Sequence, residues 1–139
     1  MFNTSISLET LNSWGKGNML EHVGIEFIEL TPEYIKAKMP VDHRTKQPFG
    51  LLHGGASVVL AETMGSIASA LSVENPANQT GVGVEINANH LKSARGGFVI
   101  GTCTALRIGR TIHVYDIKIH DEEENLICAS RLTVAILQR

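Results

Sequence analysis

Apolar and polar residues alternate along much of this chain with the period of two that marks a half-buried strand. Ile35, Ala37 and Met39 alternate with Lys36 and Lys38, and further upstream Ile25 and Phe27 enclose Glu26. With Thr31-Pro32 between them, the runs 24–30 and 34–39 predict an antiparallel hairpin. Four more strands are expected at 82–91, 98–108, 112–120 and 126–137, divided by turn-forming residues at 93–97, 109–110 and 121–125. Ahead of them all, Ser7 is placed to cap a short helix through Leu8, Leu11 and Trp14, which Gly15 and Gly17 end.

The stretch from Gln47 to Val73 departs from this rhythm. Val59, Glu62, Ser66 and Ser69 recur at helical spacing, while Val58, Ala61, Met64, Ala68 and Leu71 spread over the other faces. A helix apolar on nearly all sides is a buried one. A long buried helix needs cover, and a curled sheet supplies it. The expected architecture is therefore α+β, an antiparallel sheet wrapped around a central helix, in a single domain spanning residues 1–139. Such a sheet leaves an edge open, where a second copy of the chain is expected to pair.

Glu62 is the only formally charged residue in that stretch. Burying a lone carboxylate costs several kcal/mol unless something compensates, so its presence points to use. Pro48 and Gly50 break the chain before the helix, and His53-Gly54-Gly55 leads into the first turn. Free N–H groups and the helix dipole make such a start a natural place for an oxyanion. A carboxylate on a helix with an anion-stabilising start is the skeleton of an acyl-transfer site. Other roles fit the same residues: His53 as a local cap, Gln47 as a partner for its loop, Ser66 as a hydroxyl bonding back to the Glu62 carbonyl.

Composition narrows the alternatives. With 43% hydrophobic and 19% charged residues among 139, the chain reads as an ordinary folded protein. A net charge of −2 gives no reason to expect nucleic acid. Cys103 and Cys128 lie in apolar strand runs and read as reduced core thiols. No basic and apolar leader opens the chain, and its one long apolar segment is interrupted by His53, Glu62, glycines and serines, so neither secretion nor membrane insertion is expected and the cytoplasm is the expected compartment. His22, His43, His113 and His120 form no ligand spacing, so no metal site is expected, and GxGxxG is absent.

The run Gln47-Pro-Phe-Gly-Leu-Leu-His53-Gly54-Gly55 through Glu62, Ser66 a turn later, and Glu85-Ile-Asn-Ala-Asn-His90 resemble the hotdog-fold acyl-CoA thioesterases. The likeness covers essentially the whole chain and is nearest the bacterial branch acting on 1,4-dihydroxy-2-naphthoyl-CoA in quinone synthesis, with the carrier-protein proofreading thioesterases as siblings. It implies a homodimer or homotetramer with active sites across the interface. Glu62 would be nucleophile or general base, facing Gly54 of the partner subunit. The Gly54 N–H would polarise the thioester carbonyl, with Gln47 and His53 close by and Ser66 beside Glu62. Gly83, His90, Leu91, Lys92 and Ser93, and the turn of Arg107, Ile108, Gly109, Arg110, Thr111 and Ile112, correspond to coenzyme A contacts. Coenzyme A is then part of the substrate and no cofactor is implied. Two rival readings remain: a proofreading thioesterase acting on aryl groups misloaded on a carrier protein, and a non-catalytic acyl-CoA-binding module.

Overall fold

The alternation is realised as one six-stranded antiparallel sheet with a long helix across its concave face. The computed structural model describes residues 1–139, with β1 at Glu26–Leu30, β2 at Tyr34–Pro40, β3 at Gln79–His90, β4 at Phe98–Ile108, β5 at Ile112–Asp121 and β6 at Leu126–Gln138. The helices are α1 (Leu8–Ser13), α2 (Met19–Val23) and α3 (Gly54–Ala70). Strand order is β1-β2-β4-β5-β6-β3, antiparallel throughout. The α3 helix packs on β2, β3, β4, β5 and β6. No helix is long and apolar enough to cross a membrane.

The expected hairpin forms: Glu26 and Lys38 pair across β1 and β2 at 3.4 Å and Glu29 and Lys36 at 3.6 Å, on the wet face. Ser7 caps α1 by accepting from the Thr10 N–H. The α2 helix was not among the expected elements, and β3 starts three residues earlier than expected, at Gln79. Leu60, Met64 and Ala68 of α3 share a continuous core with Ile35, Tyr115, Ile117, Leu132 and Val134 of the sheet. The α1–α2 strap is tied to this body by Asn12, whose Nδ2 donates to Phe27 O at 3.0 Å while its Oδ1 accepts from Phe27 N at 2.7 Å.

One polar knot lies in the core. His113 is 2% exposed, and Ser69 Oγ and Tyr115 Oη approach its Nδ1 at 3.0 and 3.1 Å. Burial holds the imidazole below its ordinary value near 6.5, against a smaller opposing effect of the Gly109 backbone. The unfolded chain therefore takes up a proton that the fold resists. The stability His113 contributes is complete above about pH 6.5 and is lost as pH falls below it. The melting temperature should drop from about pH 7 to about pH 5, and His113→Asn should flatten that slope, as thermal melts can check.

Candidate active site

The loop before α3 is built to present its polar groups. Thr45, buried, donates its hydroxyl to Pro40 O at 2.6 Å, and its carbonyl accepts from His53 N at 2.8 Å. Leu52 N donates to Ala94 O at 2.8 Å, fixing the loop to the segment after β3. The Arg44 guanidinium hydrogen-bonds the Asp42 carboxylate and holds it at about 2, so this loop stays ion-paired at neutral pH. Within the turn, Gln47 Oε1 accepts from Phe49 N at 2.5 Å and from Leu51 N at 3.5 Å. With its oxygen so engaged, the Gln47 amide offers only its NH₂ outward. Both sequence roles for Gln47 are thus compatible: it braces the loop and leaves two donors free.

The same logic holds one step on. His53 is the N-cap of α3, and its Nδ1 accepts from Gly55 N at 2.8 Å. That bond assigns the ring's remaining hydrogen to Nε2, as an outward donor. The His53 carbonyl accepts from Ala56 N and Ser57 N. Among the leading amides of α3, the Gly54 N–H is left without a partner. Gln47, His53 and Gly54 therefore bring a set of unspent donors to the positive end of a 17-residue helix. The His90 ring packs onto Gly54, where a Cβ would lie 2.7 Å from its Nε2. Gln47 and Gly54 share a cleft of about 320 Å³ with His90, Leu91, Lys92 and Ser93.

Glu62 lies elsewhere. It is eight residues after Gly54, about 12 Å along the axis at 1.5 Å per residue. Half-buried rather than fully buried, it makes no salt bridge or side-chain hydrogen bond within the chain. It opens onto a mostly apolar cleft of about 350 Å³, which it shares with Ser66, Thr63, Ile67, Trp14 and Leu20. Ser66 does not bond back to the helix as Ser72 does with Ala68 O, so its hydroxyl stays available beside Glu62.

A contact that local sequence patterns cannot reveal fixes the carboxylate: Glu62 Oε1 lies directly over Gly83 of β3, in the space a Cβ would occupy. The β3–β6 register shifts between Gly83 and Glu85, so a bulge sits beside the carboxylate. Gly83 therefore seats Glu62 within the chain, whatever else it touches. Arg107, Ile108, Gly109, Arg110, Thr111 and Ile112 lie at a third place, the β4–β5 turn, where Ile108, Gly109 and Arg110 line a small cavity of about 80 Å³ with His113, Glu74 and Gln79.

Gly83→Ala provides a sensitive test of that seating. Its methyl group should push the carboxylate aside and lower kcat about 100-fold, a cost in keeping with misplacement by about 1 Å. Stability should hold or rise slightly, because Gly83 has no positive φ and alanine restricts the unfolded chain. Activity assays beside thermal melts separate the two effects.

Comparisons with known proteins agree on the type of molecule. The profile of the Thioesterase superfamily matches residues 49–128. A 1,4-dihydroxy-2-naphthoyl-CoA hydrolase of Escherichia coli (strain K12) is 53% identical over 137 residues, 99% of each chain. A proofreading thioesterase of Cronobacter turicensis is 46% identical over 132 residues, 95% of each chain. A thioesterase crystal structure from Haemophilus influenzae superposes with a TM-score of 0.94 at 46% identity, covering 99% of this chain and 94% of the other.

Proposed function

This chain belongs to the thioesterase superfamily, and from that premise we propose that it hydrolyses an acyl-CoA thioester with an aromatic acyl group, at a site completed by a second copy of itself. One observation carries the reading. The carboxylate of Glu62, without partners, stands about 12 Å along α3 from the Gly54 N–H, which leads a set of donors without acceptors, and the two open onto separate clefts, too far apart to act on one carbonyl. A second copy, turned to bring its donors opposite Glu62, removes the conflict. The edge available for pairing is β3, exposed at Val82, Val84, Glu85, Asn87 and Asn89 along its 12 residues. A homodimer is the smallest assembly that meets the requirement, and two such pairs would form a tetramer.

In this arrangement Glu62 attacks the thioester carbon, or deprotonates a water that does. The carbonyl oxygen becomes an oxyanion held by the Gly54 N–H of the partner subunit, with the Gln47 and His53 donors near it. Collapse expels the coenzyme A thiolate, stable enough to leave without an acid. On the covalent path water then cleaves the Glu62 acyl anhydride; on the other the free acid forms directly. Ser66, beside the carboxylate, orients it or the water. Lys92, Arg107 and Arg110 supply cations for the nucleotide phosphates. A coenzyme A thioester as substrate supports the cytoplasm as the compartment where the protein works.

The Escherichia coli relative supports coenzyme A as the carrier of an aromatic acyl group. The Cronobacter turicensis relative supports the second reading, removal of aryl groups from a carrier protein. One acyl group, 1,4-dihydroxy-2-naphthoyl, attached in turn to coenzyme A and to a carrier protein, decides between them. Higher kcat/KM on coenzyme A is expected, and higher efficiency on the carrier would reverse the order. No hydrolysis of either would end both.

A further inference from the structure

The Glu62 cleft has walls that hydrolysis itself does not require. Trp14 and Leu20 of the α1–α2 strap face Thr63, Ser66 and Ile67 across it. Trp14 is the only tryptophan of the chain and stays 44% exposed, although so large an apolar side chain would ordinarily be covered. Its backbone is held firmly: it is the C-cap of α1, and its carbonyl accepts from Asn18 Nδ2 at 2.7 Å. Through the double bond of Asn12 to Phe27, the strap is fixed to β1 at a set height above α3.

The thioester carbon must meet Glu62, so one of its two substituents enters this cleft. The coenzyme A arm carries amides that need hydrogen-bond partners and leads to phosphates that need cations. This cleft offers no cation, its one charge is the Glu62 carboxylate, and its lining is mainly apolar. The basic residues Lys92 and Arg110 line other clefts. Charge and polarity therefore send the coenzyme A arm out and the acyl group in. We infer that Trp14 is a specificity-determining residue, its indole forming the wall against which a flat aromatic acyl group packs, with Leu20 and Ile67 at the sides. Aromatic pairs favour offset or edge-on contacts that a flexible aliphatic chain does not reproduce, which is the source of the selectivity. The inference rests on Glu62 being the attacking group.

Trp14 is also the probe. The S-phenacyl thioether of coenzyme A, whose C–S bond resists hydrolysis, should change the tryptophan emission saturably over the range in which it inhibits turnover. Coenzyme A alone should leave the emission unchanged. Trp14→Ala should raise KM for benzoyl-CoA about tenfold relative to butyryl-CoA, and Trp14→Phe should restore most of the difference. Emission that ignores a bound phenacyl thioether, or an equal loss on both acyl classes, overturns the inference. Failure of the unaltered protein to hydrolyse any thioester would instead sink the parent reading, an outcome distinct from a working enzyme whose emission or selectivity ignores Trp14.

Discussion

Replacing Glu62 by glutamine is expected to lower kcat by about 10³-fold while leaving fold, assembly and coenzyme A binding intact. Glutamine keeps the shape that sits over Gly83 and removes only the charge, so no packing is disturbed. Glu62 makes no salt bridge, so neutralising it leaves no buried cation without a partner, the usual reason such changes destabilise. A pure binding protein would gain affinity or stability from the change, since an unpaired half-buried carboxylate is a cost to it. Steady-state assays on an aromatic acyl-CoA, run beside thermal melts, separate these outcomes. A variant retaining a tenth or more of wild-type turnover would remove Glu62 from the chemistry.

Gly54→Pro is expected to cost about 10²–10³-fold in kcat, the range seen when one oxyanion donor is deleted. Proline is well suited to this position. It is tolerated at the first residue of a helix, where the N–H it lacks has no helical partner. His53 already has φ −68° and ψ 129°, the extended conformation a following proline demands. The added ring displaces His90, an exposed side chain with room to move. The change thus deletes the single N–H left without a partner and little else. A drop confined to KM would mean the Gly54 amide binds the ground state and does not stabilise the transition state.

What could be read from the sequence was what lies in local patterns. Ile35, Ala37 and Met39 announced β2 because one face of an antiparallel strand is dry, and Ser7 announced α1 because a hydroxyl is where the first turn needs one. Glu62 stood out because a charge amid apolar residues is conspicuous without any structure. The α2 helix was missed because MLEHV spans little more than one turn, too short for a period to show. Its signals were present nonetheless: Asn18 caps Leu20 N, and Gly24 takes the left-handed conformation at φ 78°. The early start of β3 was hidden by Gln79, Thr80 and Gly81, residues that read as a turn.

The seating of Glu62 on Gly83 and the knot of Ser69 with His113 join residues 21 and 44 positions apart, and such pairings exist only once the sheet has curled. Donor assignments at Gln47 and His53 needed the loop bonds that occupy their other atoms. The separation of Glu62 from Gly54, by contrast, was already present in the count of residues along a helix.

Subunit complementation tests the two-copy site most directly. Glu62→Gln and Gly54→Pro proteins, each nearly inactive, are mixed, allowed to exchange subunits and assayed. In a mixed pair, one site joins the intact Glu62 of one copy to the intact Gly54 of the other, and the second site carries both lesions. With half the pairs mixed and one site working in each, about a quarter of wild-type activity should return. Activity no higher than the sum of the two variants, with exchange verified by mass, would show that each chain builds its site alone.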